Sequence, residues 1–119
     1  MPAPFDEHGA PTPAQPADAP QIESLLSAQA LPTQDVRARL PDYLVLREGG
    51  ELLACAGLEP HGEGVVLRSL ATSRPGQGVG TQLTRAALVQ ARRKGAQWVV
   101  LRTATAADFF AQFGFRPIA

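Results

Sequence analysis

The chain has 119 residues, of which 45% are hydrophobic and 18% are charged. This length and hydrophobic content suit one folded domain and argue against a disordered chain. Eleven basic and eleven acidic residues cancel, which argues against nucleic-acid binding, and the single cysteine, Cys55, excludes a disulfide framework and a cysteine-built zinc site. No apolar run is long enough to span a membrane and no signal-peptide pattern is present, so we expect a soluble cytoplasmic protein.

The N-terminal segment is rich in proline. Because proline has a fixed φ and no N–H, residues 1–16 are predicted to be an extended, mobile lead-in and a poor strand, and residues 17–119 the single domain. The first helix is expected to begin at Asp18, with Gln21 at the capping-box position, and to end before Pro32. A short second helix is expected over residues 33–40.

Three antiparallel strands are predicted next. Two apolar runs, Tyr43–Glu48 and Glu51–Leu58, flank the pair Gly49-Gly50, which is a strong hairpin signal. Residues 59–64 are expected to form a second turn, and Val65–Thr72 a third strand.

A glycine-rich loop over residues 73–80 precedes a helix that ends in Arg92-Arg93-Lys94-Gly95, as the helix dipole and a left-handed glycine cap favour. Residues 97–102 read as a fourth strand, parallel to the third with a right-handed crossover, and residues 104–113 as a last helix. The predicted fold is α+β, a mixed sheet with helices on both faces.

The distribution of charge points to an anion site. No acidic residue lies between Gly64 and Ala107, and this stretch carries the seven cations Arg68, Arg74, Arg85, Arg92, Arg93, Lys94 and Arg102. The loop at its centre opens a helix, where converging N–H groups and the helix dipole favour a phosphate. The alternative is a glycine-rich turn beside a solvated arginine surface.

Two common phosphate loops are excluded. A Walker loop needs a lysine, and Gly78-Val79-Gly80-Thr81 offers none. A dinucleotide fingerprint needs an acidic residue about twenty positions after its glycines, and the first one here is Asp108.

The run Arg74–Leu83 (RPGQGVGTQL) resembles the acyl-CoA pyrophosphate loop of GNAT-type N-acetyltransferases, whose pattern is Q/R-x-x-G-x-G/A. The run Phe109–Phe115 (FFAQFGF) resembles the helix and Gly-Phe turn near the end of that family, and the element order over residues 18–118 also fits. More narrowly, Leu67–Thr72 and Thr103–Phe110 are similar to a small subgroup associated with arsenic-resistance operons.

The resemblance implies acetyl-CoA as co-substrate, with no metal. It implies that backbone groups of Leu70, Ala71 and Thr72 pair with the pantetheine arm. It implies that the pyrophosphate is held by the N–H groups of Gly76, Gln77, Gly78, Val79, Gly80 and Thr81. Thr105 and Phe110 would flank the pantetheine and the thiol.

The sequence also departs from the family pattern. Pro75 occupies the Q/R position, with Arg74 beside it as a substitute. Phe110 stands where many members place a tyrosine that protonates the departing thiolate, and the only tyrosine, Tyr43, is expected far away on the first predicted strand. The family's own first strand should precede Asp18, in the proline-rich segment.

Four other side chains are candidates for chemistry. Glu59 and His61, expected in the turn before the third predicted strand, could deprotonate an ammonium, or could simply be solvated. Arg68 could bind a carboxylate of the acceptor, or form a surface ion pair. Cys55 is expected to be a core residue and not a nucleophile.

Three functions remain open at this point. The first is acetyl transfer from acetyl-CoA to a small-molecule amine, the second a weak or inactive acyl-CoA-binding module, and the third an interaction protein that binds a polyanion through its basic half. Because few residues follow Phe115, the fourth predicted strand is expected to lack a neighbour on one side, and we expect a homodimer.

Overall fold

The computed structural model describes residues 11–103 and 106–118. The strands are β1 (Thr12–Pro13), β2 (Tyr43–Glu48), β3 (Glu51–His61), β4 (Gly64–Thr72) and β5 (Trp98–Val100). The helices are α1 (Ala19–Ala28), α2 (Val79–Arg93) and α3 (Ala107–Ala111). Short 3-10 turns cover Pro16–Asp18 and Leu40–Asp42.

The five strands form one mixed sheet in the order β1-β2-β3-β4-β5. Neighbours from β1 to β4 are antiparallel, and β4 and β5 are parallel. Both the three consecutive antiparallel strands and the parallel pair around α2 are confirmed, and with them the predicted fold class.

Helices cover both faces of the sheet because the strands are apolar on both sides. On one face, Leu46, Leu53 and Leu67 pack with Leu83 of α2 and Phe110 of α3. On the other face, α1 packs on the sheet through a second cluster, made of Ile22, Leu25, Leu26, Val36, Tyr43, Val45, Leu52, Cys55 and Ala71. We call these the α2 face and the α1 face.

The N-terminal segment differs from the prediction in its described part. Thr12 pairs with Val45 and Pro13 with Leu44, so residues predicted to be a poor strand form β1. A proline is tolerated here because β1 is an edge strand that needs donors on one side only. Residues 1–10 of the predicted lead-in lie outside the described residues.

Asp18 does not act as the predicted N-cap. Its side chain makes no cap hydrogen bond to α1. One carboxylate oxygen instead accepts a 2.7 Å bond from the Gln15 N–H, and the carboxylate forms an ion pair with Arg47 of β2. Arg47 also reaches the Thr12 hydroxyl at 3.2 Å, so the buried Asp18 ties the start of α1 to β1 and β2.

The hairpin between β2 and β3 is confirmed, with Gly49 at φ +62° in its two-residue turn. β3 is longer than predicted and runs to His61, so Glu59 and His61 lie on a strand and not in a turn. Their pairing with β4 explains the difference, because Glu59 stands opposite Val66 and His61 opposite Gly64.

The second helix predicted over residues 33–40 is wrong. Residues 34–39 form successive turns, followed by the 3-10 turn Leu40–Asp42. This short segment is bounded by Pro32 and Pro41, and one or two turns of helix gain little stability of their own.

The end of α2 matches the prediction. Gly95 has φ +85°, and the N–H groups of Gly95 and Ala96 bond back to the carbonyls of Arg92 and Ala91. β5 and α3 are shorter than predicted. In the described part of the chain, no helix is both long enough and apolar enough to cross a membrane.

Candidate functional site

Strand β4 has an irregularity near its C-terminal end. Cys55 pairs with Ala71 and Gly57 with Arg68, so Ser69 and Leu70 together stand opposite one β3 residue. Ser69 has φ +57°, the left-handed conformation that one class of bulge has at its first residue. The bulge turns the backbone of β4 just before the glycine-rich loop.

β4 and β5 separate beyond the first part of their pairing. The parallel pairs are Gly64 with Trp98, Val65 with Val99 and Val66 with Val100, and the described pairing ends there. The β4 segment Leu67–Thr72 therefore has β3 on one side and no strand of the described sheet on the other. This opening contains Leu70, Ala71 and Thr72, the residues predicted to pair with pantetheine.

The loop that follows β4 leads directly into α2. Gly76 has φ +81° and Gly78 φ +80°, conformations that L side chains rarely adopt, and the space where a Cβ would stand is open at both. The first intrahelical bond of α2 runs from Gln82 N–H to Gly78 O. By helix geometry, the N–H groups of Val79, Gly80 and Thr81 have no acceptor inside α2, as an anion site requires.

The aromatic residues of α3 pack against this first turn of α2. The buried ring of Phe110 makes edge contacts with Phe109 at 5.0 Å and Phe115 at 5.8 Å between centroids. A Cβ on Gly80 would lie 3.6 Å from Phe109 Cζ. The neighbour of the loop is therefore Phe109, which the sequence did not single out, while Phe110 is a core residue on the α2 face.

Arg74, which precedes the Q/R position of the motif, forms ion pairs with another part of the chain. Its Nη1 lies 3.3 Å from Glu48 Oε1 and its Nη2 3.3 Å from Glu51 Oε1, across the tip of the β2–β3 hairpin. Arg68 is also paired, so two of the seven cations in the acid-free stretch are neutralised by the other half of the chain. Arg74, the cation nearest the loop in sequence, is thus engaged with the β2–β3 hairpin.

A small cavity opens on the α1 face beside the bulge. Its lining includes Asp35, Tyr43, Gly57, Glu59 and Arg68. Gly57 leaves room for the side chains of Tyr43 and Arg68 in the cavity. A Cβ on Gly57 would lie 3.4 Å from Tyr43 Cζ and 3.3 Å from Arg68 Cγ. Tyr43, on the strand where it was predicted, is therefore a wall of this cavity.

Ion pairs join the polar residues of the cavity. Arg68 Nη1 lies 2.7 Å from Glu59 Oε1 and 3.3 Å from Asp35 Oδ2. The other oxygen of Glu59 lies 2.8 Å from His61 Nε2. The hydrogen bonds from His61 and Arg68 lower the pKa of Glu59, and the bond to Glu59 raises that of Arg68. The structure thus brings together Glu59, His61 and Arg68.

The remaining candidate residues are Cys55, Tyr43 and Thr105. Cys55 is fully buried, which confirms the predicted core residue, and burial raises the pKa of its thiol to about 12. Burial also raises the pKa of Tyr43, so its hydroxyl stays protonated. Thr105 lies outside the described residues, and within those residues no group of three His, Cys, Asp or Glu side chains could hold a metal ion.

Comparison with known families decides the identity of the fold. Residues 40–117, more than half of the chain, match the acetyltransferase (GNAT) domain model. The chain belongs to the GNAT acetyltransferase family. The comparison does not show the narrower arsenic-resistance subgroup, which stays a prediction. None of the curated proteins compared with the chain matches it.

Solved structures of GNAT acetyltransferases have the same fold. A GNAT family acetyltransferase from Brucella melitensis in complex with acetyl-CoA is 25% identical, with a TM-score of 0.75 over 93% of this chain and 84% of its own. Rv2747 from Mycobacterium tuberculosis, in complex with CoA, is 22% identical, with a TM-score of 0.84. The match includes 92% of this chain and 73% of Rv2747. N-acetylglutamate synthase from Neisseria gonorrhoeae, complexed with coenzyme A and N-acetyl-glutamate, is 22% identical with a TM-score of 0.82, but the chain spans only 28% of it.

Proposed function

We propose that this GNAT protein transfers acetyl from acetyl-CoA to the amino group of a small molecule. The observation that carries the proposal is the bulge of β4, which has a glycine-rich helix start after it, an open strand edge on one side and a polar cavity next to it. The first two features suit a long co-substrate with a phosphate end, and the cavity suits an acceptor.

The co-substrate fits the residues that are present. The N–H groups at the start of α2 would hold the pyrophosphate, and the open edge at Leu70, Ala71 and Thr72 would take the pantetheine arm as an additional strand. The carbonyl of Thr72 already accepts a 2.6 Å bond from Gln29 Nε2, so the arm would have to use other backbone groups of this edge.

The acceptor would enter from the α1 face. A neutral amine in the cavity would attack the thioester carbon, the new C–N bond replacing the C–S bond, and the thiolate would leave and take up a proton. The backbone of β4 near Leu70 would orient the thioester carbonyl. The cavity has about 10 Å³ of space, roughly one water-sized group, so it would admit only the amino group of the acceptor.

Glu59 fits a supporting role better than that of a strong base. Because its pKa is lowered by His61 and Arg68, its carboxylate has little affinity for a proton at neutral pH. We therefore propose that the amine reacts in its neutral form and that the rate rises with pH. The proton released when the C–N bond forms would pass to solvent, to which the neighbouring His61 is exposed.

A second candidate is favoured by Phe110. With no hydroxyl at this position, the thiolate lacks the proton donor that the family resemblance leads one to expect, and an acyl-CoA-binding module with weak catalysis would have the same fold. The two candidates are separated by measuring CoA affinity and turnover independently.

The test is an assay of thiol release from acetyl-CoA over a panel of primary amines, with acetyl-CoA binding followed by calorimetry. Binding together with amine-dependent thiol release supports the transferase. Binding without release from any amine supports the weak module, and absence of binding contradicts both.

A further inference from the structure

Strand β4 contains one residue in a conformation that its own side chain disfavours. Ser69 has φ +57°, and among the described residues every other positive φ except that of Ala30 belongs to a glycine. A residue with a Cβ stays in this region only where its surroundings hold it there, and such positions cluster at functional sites. The contacts of Ser69 therefore decide the shape of the bulge.

Two buried side chains from neighbouring strands hold Ser69. The thiol of Cys55, on β3, donates to the carbonyl oxygen of Ser69 at 3.5 Å. The side chain of Ser69 hydrogen-bonds to the hydroxyl of Tyr43, which lies two strands away on β2. Cys55 and Tyr43 are both almost completely buried. Ser69 is thus held at its carbonyl group and at its side chain.

Tyr43 reaches β4 because a glycine lies between the two strands. Tyr43 pairs with Gly57 of β3, and Gly57 pairs in turn with Arg68, the residue before Ser69. Gly57 has no side chain, and a Cβ there would lie 3.4 Å from Tyr43 Cζ, the carbon that carries the hydroxyl. The phenol ring therefore lies across β3, and its hydroxyl reaches the bulge of β4.

The conformation of Ser69 sets the direction of the N–H group that follows it. The peptide plane between Ser69 and Leu70 is rigid, so the Leu70 N–H turns with the backbone dihedral angles of Ser69. The two residues together face one residue of β3, which leaves one of them outside the regular ladder. Under the proposed function, backbone groups near Leu70 orient the thioester carbonyl, and such donors act only when they are already in place.

We propose that Tyr43 is a positioning residue for acetyl transfer and that it acts through Ser69. Its hydroxyl holds Ser69 in the left-handed conformation, and Ser69 in turn directs the Leu70 N–H towards the thioester carbonyl. This inference rests on the proposed function. It gives the only tyrosine of the chain a part in the reaction that is separate from proton donation.

The experiment compares the variant Tyr43→Phe with the parent protein. The variant keeps the ring over Gly57 and removes only the hydroxyl. We expect kcat for thiol release from acetyl-CoA to fall about tenfold or more, with any amine that the parent accepts, since loss of one well-placed donor to the transition state typically costs that much or more. The affinity for acetyl-CoA, measured by calorimetry, should stay close to that of the parent, because the glycine-rich loop before α2 is unchanged.

Substitutions of Ser69 separate positioning from the chemistry of the hydroxyl groups. Ser69→Ala and Ser69→Gly both remove a hydroxyl, but only glycine adopts a positive φ without strain. We expect Ser69→Ala to lower kcat as Tyr43→Phe does, and Ser69→Gly to lower it less. In the Ser69→Gly background, Tyr43→Phe should change kcat by no more than about twofold, because the residue that its hydroxyl holds no longer needs it.

Ser24→Ala is the control, since it removes a hydroxyl from α1, outside the bulge, and should leave kcat unchanged. Urea midpoints of all variants show whether each loss of rate occurs in folded protein.

The outcomes are distinguishable. An unchanged kcat in Tyr43→Phe overturns the inference while leaving amine acetylation intact, and so does a loss that Ser69→Gly does not relieve. Equal rates in Ser69→Ala and Ser69→Gly also overturn it, whether or not Tyr43→Phe is stable. Acetyl-CoA binding without thiol release from any amine, in the parent protein itself, overturns the proposed function and the inference with it.

Discussion

Gly78 joins the glycine-rich loop to α2, with φ +80° and open space where a Cβ would stand. Replacement by aspartate puts a carboxylate where the proposed pyrophosphate meets the N–H groups, and we expect Gly78→Asp to weaken acetyl-CoA binding at least about a hundredfold. Calorimetry measures the effect.

The matched control for this loss is Gly62→Asp. Gly62 also has a positive φ, +56°, and open space around it, but it lies in the turn between β3 and β4. Both variants impose the same backbone strain and the same added charge. An equal loss of acetyl-CoA affinity in the two variants would mean that backbone strain is responsible, and not the position of the new carboxylate at the start of α2.

Phe110 allows a test of the missing proton donor. We expect Phe110→Tyr to raise the rate of thiol release by about ten- to a hundredfold, since a positioned general acid typically contributes that much or more. The ring of Phe110 is buried, so the hydroxyl will also cost some stability, which a thermal melt should show. Phe113→Tyr, in the turn just after α3, is the control, and an equal gain there would contradict the assignment.

Glu59 makes stability depend on pH in a defined direction. Its pKa in the folded protein is lowered, first by the hydrogen bond from His61 and then by that from Arg68. Its stabilising contribution is therefore present above the ordinary pKa of a glutamate and lost as the pH falls through the lower, folded value. We expect Glu59→Gln to be less stable than the parent at neutral pH and to approach it in acid.

Urea midpoints of the two proteins across this pH range provide the measurement. Glu63→Gln, at the neighbouring turn, is the control. A difference between parent and Glu59→Gln that is constant with pH would show that the carboxylate is not held as described.

At the scale of residues, the sequence predicted the glycine-rich loop before α2 better than the cavity beside β4. Glycines at the start of a helix are local signals, and Gly76 and Gly78 have the conformations that the motif implies. The position of Tyr43 beside Arg68 depends on the pairing of three strands, and no local pattern contains it. The ion pairs of Arg74 depend in the same way on the fold of a distant hairpin.

At the scale of elements, the pairing of β4 with β5 begins with an unusual contact. Gly64 stands opposite Trp98, and a Cβ on Gly64 would overlap the indole ring, so the ring covers the glycine. We expect Gly64→Ala to displace the ring and to destabilise the fold by about 1 to 2 kcal/mol, the usual scale of overpacking.

Trp98 is the only tryptophan, so urea unfolding followed by its fluorescence reports both the loss and the movement of the ring. The control is Gly50→Ala, where nothing lies within 4 Å of the added Cβ. Unchanged stability and emission in Gly64→Ala would contradict the described contact.

Elements with a strong local signal were predicted, and those that depend on distant contacts were not. The Gly49-Gly50 hairpin and the cationic end of α2 fold as their sequences indicate. β1 pairs with β2 beside the ion pair between Asp18 and Arg47. This contact between distant residues cannot be predicted from the proline content of the segment. Turns replace the predicted helix over residues 34–39, because in so short a segment the helix has little stability of its own and distant contacts decide the conformation.

At the scale of the whole molecule, β5 is an edge strand of the described sheet, and it exposes Trp98 to 42%. Apolar strand edges favour pairing with a second chain, and we expect a homodimer formed along β5. Light scattering at micromolar concentration should give twice the chain mass of 12.6 kDa. A mass of one chain would contradict the dimer.

The two edges of the sheet are also its slowest parts to assemble. β2, β3 and β4 pair through hairpins with tight turns, whereas Thr12 must meet Val45 and Gly64 must meet Trp98 across more than thirty intervening residues. Loop-closure entropy delays such contacts and makes them the first to open in the native state. The proposed pantetheine slot lies between β4, which is part of the hairpin unit, and β5, which we expect to join the sheet later. Local unfolding of β5 alone would therefore widen this slot.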